Sequence, residues 1–350
     1  MSTLQISLAI AGGLVLAGVV AHSTWNSRRN APRQALPEND AGAKPHATQG
    51  IEPESVRTEP TFDGELEPLP QMQIPERRLG MDALIDVIAP IALDAPVSGD
   101  AALAAMPSTR RAGSKPFAIE GLNETTGQWE LPAPGQRYGA LQAGVQLANR
   151  TGALNEIEYS EFVVKAQAFA DAVNGAPEFP EMLDEVARAH ELDQFASDHD
   201  AQLGFSLRAQ RAAWSPGYVQ QNAAHLGFVP GVIPGRMVLP ASTAGLPPVL
   251  GLTFDTQAAM ADDPTQSAIR EVTLSLDVPQ VDRAERPFAR MREVAAALSV
   301  AMDGVVTDDN GQPLPPEAMD VIGTDLEQLY DTLDARELSA GSALARRLFS

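Results

Sequence analysis

The sequence predicts an α+β protein in four parts: an N-terminal transmembrane helix (1–27), a disordered linker (28–80) and two tandem units (81–197 and 198–350). Three observations lead to this prediction. An uncharged apolar stretch opens the chain, a proline-rich acidic stretch follows it, and strand-like and helix-like hydrophobic periods alternate over the remainder. The mixture of alternating strands with a few helices predicts that each unit is an antiparallel sheet covered by helices on one face.

The first part has the features of a membrane anchor. Residues 1–27 contain no Asp, Glu, Lys or Arg. Within them, residues 4–21 are nearly all apolar. Together with 22–25 they give about the 20 residues that a helix needs to cross a bilayer. Trp25 suits the interface, and arginines follow at 28, 29 and 33, which predicts a short N-terminus outside and the bulk of the chain inside. The alternative is a cleaved signal peptide, whose basic region would precede the apolar run.

The second part is predicted to be a tether. Residues 28–80 show no persistent hydrophobic period and are rich in proline and acidic side chains. Such a stretch buries too little apolar surface to offset the entropy lost on ordering. As a flexible chain it would span roughly 40 Å on average, and more where prolines and like charges extend it.

Composition excludes several function classes. The chain has 46 acidic against 25 basic residues, a net charge of −21, and no cysteine. This balance argues against nucleic acid as a partner, and the missing thiols exclude disulfides and cysteine nucleophiles. No phosphate loop, dinucleotide fingerprint, nucleophile elbow or HExxH motif occurs, and Asp198-His199-Asp200 is interpreted as a solvated turn. The sequence therefore predicts no enzyme, metal or cofactor.

The last unit shows the order β-α-β-β-β-α-β-α. The clearest strand is 272–278, where Val272, Leu274 and Leu276 alternate with polar residues. The other predicted strands are 202–208, 235–239, 249–254 and 305–306, and the predicted helices are 216–226, with Ser215 as its N-cap, 287–302 and 316–333. A turn is expected at Asp308-Asp309-Asn310-Gly311.

The unit before it repeats much of this order. Its predicted strands are 84–93, 117–122, a segment around Trp129, and 140–147, and its predicted helices are 98–106, 160–173 and one opening at Pro180. In both units a predicted helix that contains a phenylalanine is followed by a glycine: Phe162 and Gly175 in this unit, and Phe288 and Gly304 in the last one. These parallels predict a tandem duplication.

Several segments together resemble the ZipA family of bacterial cell-division proteins. One is the apolar anchor followed by His-Ser-Thr-Trp-Asn-Ser-Arg-Arg, and another is the acidic, proline-rich linker. The most specific are Val272–Pro279 (VTLSLDVP), the helix from Phe288, Asp303–Asp309 (DGVVTDD) and the closing helix. The resemblance covers about 1–35 and 198–335.

The resemblance implies a six-stranded antiparallel sheet with three helices on one face. Its free face would bind the C-terminal peptide of FtsZ in a shallow apolar groove, without catalysis. It also implies a single-pass protein of the bacterial inner membrane, located at the division septum. The first unit would extend the binding surface, mediate self-association or contact other division proteins.

Carried over strand by strand, the resemblance places the peptide-binding groove on ten residues. They are Gln202, Gly204, Ser206, Met237, Leu239, Val249, Gly251, Thr253, Thr273 and Ser275. The family carries an aromatic residue where Ser275 stands and apolar residues near Thr253, so this face is more polar than the family's. The alternative is that it is the solvated side of a half-buried sheet and that the peptide binds on the first unit or between the units.

Two further alternatives stay open. The chain could be a membrane-tethered adaptor for another envelope-associated partner, or an enzyme with an unrecognised site between its units. The basic, apolar tail Gly341–Ser350 either forms a small interaction motif or folds back onto its own domain.

Overall fold

The computed structural model describes residues 32–35, 80–261 and 267–350. The predicted anchor and nearly all of the predicted linker lie outside these ranges. Within them, no helix combines the length and apolar character that crossing a membrane requires. The described chain is a mixed α+β structure with antiparallel sheets, which confirms the predicted fold class at this level.

The first sheet is built from the earlier part of the chain. Its seven strands are β1 Asp86–Leu93, β2 Val97–Ser98, β3 Arg111–Ala112, β4 Lys115–Asn123, β5 Trp129–Glu130, β6 Arg137–Gln146 and β9 Gly175–Pro177, and a separate two-stranded ribbon joins β7 Ala148–Asn149 to β8 Gly152–Ala153. The main order is β3-β4-β6-β1-β9. The helices are α1 Gly99–Ala105, α2 Glu156–Ala172 and α3 Met182–His199.

Helix α2 shows how local sequence sets these elements. It begins four residues before the predicted start, because Asn155 and Glu158 form a capping box that satisfies the free backbone N–H groups of the first turn. Phe162 is fully buried, and its ring centroid lies 6.1 Å from that of Phe117 on β4. The contact seats α2 on one face of the first sheet.

The second sheet has six strands, all paired antiparallel. They are β10 Gln202–Ala209, β11 Val229–Pro230, β12 Arg236–Leu239, β13 Leu250–Phe254, β14 Glu271–Asp277 and β15 Gly304–Thr307, in the order β11-β12-β13-β14-β10-β15. The helices are α4 Pro216–His225, α5 Thr256–Ala259, α6 Pro287–Met302, α7 Pro316–Ala335 and α8 Ala343–Leu348. This order contains the predicted β-α-β-β-β-α-β-α series, with β11, α5 and α8 as additional short elements.

Helices cover one face of the second sheet. Helix α6 buries Met291, Leu298 and Met302 completely, and Phe288 meets Phe205 of β10 edge-on at 6.1 Å between ring centroids. Helix α6 contacts β10, β14 and β15, while α4 and α7 pack against α6. The opposite face carries none of these helices and is called the open face below.

The tail at the end of the described chain folds back onto both sheets. Leu348 and Phe349 are fully buried. The backbone carbonyl of Arg347 accepts a hydrogen bond from Gln146 at the end of β6, and that of Phe349 accepts one from Gln280, just after β14. The tail therefore packs between the two sheets.

Arg150 also joins the two halves of the chain. Its guanidinium donates to both carboxylate oxygens of Asp200, at 2.9 and 2.7 Å, and of Asp277, at 2.7 and 2.7 Å. Asp200 follows α3 and Asp277 ends β14, so one side chain from the β7–β8 connection fixes both. The segment predicted as a solvated turn, Asp198-His199-Asp200, is instead the C-terminal end of α3 and the residue after it.

Candidate functional site

The open face brings together seven of the ten predicted groove residues. Gly204 of β10 and Gly251 of β13 both lie opposite Ser275 of the central strand β14, and Ser206 and Thr253 both lie opposite Thr273. Since side chains alternate between the faces of a strand, these residues share one face, and Gln202 joins them two positions before Gly204.

The register of β12 differs from the expectation. Met237 and Leu239 lie opposite Leu252 and Leu250, and all four side chains are buried on the helix-covered face. The open-face positions of β12 belong to its other two residues, neither of which is among the predicted groove residues. They are Arg236, which lies opposite Thr253, and Val238, which lies opposite Gly251.

A tight turn before β12 sets this register. Gly235 is buried and adopts a φ of +79°, a conformation that favours glycine. A Cβ there would come within 2.7 Å of the carbonyl oxygen of Phe254. After the turn, the chain enters β12 shifted by one residue from the alternation that places Met237 and Leu239 on the open face. A one-residue shift exchanges the two faces of a strand.

Val249 does not line the open face either. It precedes β13, is fully buried, and its backbone N–H donates to the carbonyl of Leu239 at 2.8 Å. It therefore acts as part of the core at the entry to the strand.

A loop covers the β10 side of the open face. Asp308 accepts hydrogen bonds from the backbone N–H groups of Asn310 and Gln312, and Gly311 has a φ of +78°. These contacts confirm the predicted turn at 308–311. The carboxylate of Asp309 comes within 3.5 Å of where a Cβ on Gly204 would lie. The turn therefore narrows the open face along β10.

Polar contacts organise the same side. Ser206 Oγ donates to Glu271 Oε1 at 2.8 Å, and Glu271 Oε2 lies 3.2 Å from Arg208 Nε. The second contact is an ion pair whose alignment falls short of a hydrogen bond. Arg208 and Glu271 are not among the predicted groove residues, although the alternation of β10 and β14 places both on this face.

The opposite end of the open face is apolar. Val229 on the edge strand β11 lies opposite Val238 on β12. Val229 is 44% exposed, and Val232 and Ile233 in the hairpin between these strands are exposed as well. The open face therefore grades from apolar at β11 and β12 to polar at β14 and β10.

Two glycines make the middle of this face shallow. Gly204 and Gly251 flank Ser275 on the neighbouring strands, and a Cβ on Gly251 would lie 2.6 Å from Ser275 Oγ. Ser275 Oγ occupies the space next to Gly251, so no side chain larger than serine stands above the strands at this point. An extended or partly helical peptide can therefore lie close to the strands.

Residues 253–324 match the family described as ZipA, C-terminal FtsZ-binding domain. The predicted resemblance to ZipA is confirmed. The ZipA match runs from Thr253 in β13 through β14, α6, β15 and the turn after it into α7. Among the predicted groove residues it includes Thr253, Thr273 and Ser275. No curated protein matches the chain.

The first sheet offers a separate cavity of about 770 Å³. Trp129, Leu131 and Ala118 contribute its apolar lining, and Glu120 lies at one wall, where it accepts a hydrogen bond from the backbone N–H of Met81 at 2.9 Å. The cavity lies outside the segment that matches ZipA.

Proposed function

We propose that this protein binds the C-terminal peptide of FtsZ on the open face of its second sheet and tethers FtsZ filaments to the bacterial inner membrane. The observation that carries the proposal is the ZipA match at 253–324, which includes the central strand of that sheet. Recognition without catalysis is sufficient for this role.

The graded surface suggests how the peptide would lie. Its apolar side chains would pack on Val229 and Val238, where the face is apolar and partly exposed. Its backbone would then cross Gly251 and Ser275, since no large side chain stands in the way. Arg236 and the Arg208–Glu271 pair would flank the path and add charge-dependent contacts. This path replaces Met237, Leu239 and Val249 of the sequence-based groove with Arg236, Val238 and Val229.

Membrane attachment completes the proposal. Residues 1–27 would span the bilayer, and the arginines after them would hold the bulk of the chain on the cytoplasmic side. Each peptide contact on the shallow face would be weak. Many anchored copies along one filament would nevertheless bind it strongly through avidity, which gains about 10²–10⁴ over a single contact.

The test is a titration of the full chain, reconstituted in lipid vesicles, with a labelled FtsZ C-terminal peptide. Fluorescence anisotropy should show saturable binding. Ser275→Arg should weaken it about tenfold or more, because a long cation would fill the shallow centre of the face. The matched control is Val300→Arg on α6, whose side chain is 86% exposed away from this face.

Each outcome has a consequence. Equal loss with both variants would show a non-specific charge effect and would remove the open face as the site. Saturable binding that neither variant changes would move the site, with the first-sheet cavity as the next candidate. Absence of binding by peptide and by FtsZ polymer would contradict the proposed function and favour an adaptor for another membrane-associated partner. Vesicle flotation of the full chain against a variant lacking 1–27 tests the anchor separately.

A further inference from the structure

A short piece of the predicted linker lies against the connection between β10 and α4 and against the C-terminal end of α6. The backbone N–H of Arg33 donates to the carbonyl of Ala213 at 2.7 Å, and the N–H of Ser215 donates to the carbonyl of Arg33 at 2.8 Å. This two-way exchange pairs Arg33 with Trp214 as a parallel β-bridge. Trp214 is fully buried and pairs on its other side with Ile269. Residues 32–35, called the clasp below, therefore pair with a residue that already forms an isolated bridge on its other side.

The Arg33 side chain binds the C-terminal end of α6. Nη2 donates to Asp303 Oδ2 at 2.8 Å, and Nη1 donates to the carbonyl of Met302 at 3.3 Å. A cation is favoured there, since the carbonyls at a helix C-terminus carry a partial negative charge. The planar fork of arginine reaches both acceptors at once, and a lysine ammonium group would not.

The receiving surface is built for this contact. Asp303 caps α6 in the left-handed conformation, with a φ of +55°, and its carboxylate is only 28% exposed. Trp214 Nε1 donates to the same carbonyl of Met302, at 2.8 Å. The Trp214 indole therefore fixes the carbonyl of Met302, and the helix cap fixes the carboxylate of Asp303, whether or not Arg33 is bound.

We propose that the clasp holds the second sheet next to the membrane. The inference rests on the membrane anchor of the proposed function. With the clasp docked, the chain from Trp25 to Arg33 spans at most about 27 Å, at about 3.4 Å per residue. The second sheet would then lie close below the bilayer.

Release of the clasp would lengthen the tether. The connection would then run from Trp25 to Gly80, with a root-mean-square span of roughly 40 Å as a flexible chain and far more when stretched. The binding face can therefore lie at two distances from the membrane, a short one with the clasp docked and a long one with it released. The Arg33–Asp303 contact favours the short distance.

The absence of native cysteines permits a direct measurement. A donor dye on Val300→Cys, an exposed position of α6, would report energy transfer to acceptor lipids in vesicles carrying the full chain. Arg33→Ala should lower the transfer efficiency by about half, since the mean distance grows toward the flexible-chain span. The matched control is Arg29→Ala, which removes the same charge from the same region of sequence.

A second readout does not depend on the membrane. In the full chain in detergent micelles, the backbone amide of Ser215 should exchange about tenfold faster in Arg33→Ala than in the wild type. Without the contacts of the Arg33 side chain to Asp303 and Met302, the clasp detaches and takes away the backbone carbonyl of residue 33 that accepts from this amide. Unchanged exchange would show that the Arg33 side chain does not hold the clasp and would overturn the proposal that its contact with Asp303 controls the distance to the membrane. Faster exchange with unchanged energy transfer would overturn the positioning role.

Two other outcomes are distinguishable. Energy transfer that changes with protein density in the vesicle would mean that the clasp binds a neighbouring copy, which would overturn the proposal of positioning within one chain. Failure of the wild type to float with vesicles would contradict the proposed anchor, and the proposal with it, while the exchange of Ser215 would still report on the clasp.

Discussion

Gly251 and Ser275 lie opposite each other on neighbouring strands of the second sheet, and a Cβ on Gly251 would meet Ser275 Oγ at 2.6 Å. The pair marks the centre of the open face. Gly251→Val should weaken binding of the FtsZ peptide about tenfold, because the new side chain stands where the peptide backbone would approach. Anisotropy titration of the full chain measures the effect.

The matched control lies on the same strand. Thr253→Val keeps the branching and size of a side chain that already projects from the open face, so peptide affinity should change less than about threefold. Neither change should lower the unfolding midpoint in urea by much, because valine suits a strand and the exposed Ser275 side chain can rotate its Oγ away from the new Cβ. A stable Gly251→Val protein with unchanged affinity would contradict the proposed path of the peptide.

Arg150 should not tolerate lysine. The guanidinium binds two carboxylates through four hydrogen bonds, and an ammonium group cannot reproduce this geometry. We expect Arg150→Lys to lower the free energy of unfolding by about 1–2 kcal/mol in urea titrations at low salt. Arg137→Lys is the control, because its single ion pair to Glu124 is exposed. Equal effects of the two changes would refute a special role for Arg150.

Asp86 and Arg347 make the connection between the first sheet and the tail dependent on pH. Burial raises the pKa of the Asp86 carboxyl above its ordinary 3.8, although Arg347 counteracts the shift. Because the folded-state pKa is the higher one, this carboxyl contributes stability that is present below pH 3.8 and is lost as pH rises through the folded-state pKa.

Removal of the partner should enlarge this dependence. Arg347→Ala leaves the ionised Asp86 without its cation, so the free energy of unfolding should fall by about 2 kcal/mol at pH 7. The loss should shrink as pH falls below the pKa of Asp86, where the carboxyl is neutral. Urea titrations across pH 3–7 measure it, and Arg346→Ala serves as the neighbouring control on α8. A loss of constant size at every pH would argue against this ion pair as its cause.

Phe349 should stabilise both sheets at once. Its side chain is fully buried, and the tail hydrogen-bonds to Gln146 and Gln280 from the two halves of the chain. We expect Phe349→Ala to cost about 3–4 kcal/mol and to speed global amide exchange in β1 and β14 alike. Val300→Ala, at an exposed site, should change neither strand. Faster exchange in one strand alone would show that the tail stabilises only that sheet.

The sequence predicts strands well where alternation continues without interruption. In β14, Val272, Leu274 and Leu276 alternate with polar residues, and the structure places the two sets on opposite faces. The alternation fails as a guide at β12, because the left-handed turn at Gly235 resets the phase by one residue. A hydrophobic pattern of four residues is too short to reveal that shift.

Long-range contacts were beyond sequence reasoning for a different reason. Arg33 and Asp303 lie far apart in the chain, and nothing in the local pattern around either residue names the other. The same holds for Arg347 and Asp86. The sequence indicates only that Arg33 follows the apolar N-terminal stretch and that Arg347 belongs to a basic tail. Their ion-pair partners are determined by the packing of distant segments.

The polar character of the open face has a thermodynamic consequence. Association that removes apolar surface from water carries a negative change in heat capacity. Apart from Val229 and Val238, the proposed path crosses Gly251 and Ser275 and is flanked by the charged side chains of Arg236, Arg208 and Glu271, so little apolar area would be lost. We therefore expect calorimetry to give a small heat-capacity change and a binding enthalpy that varies little with temperature.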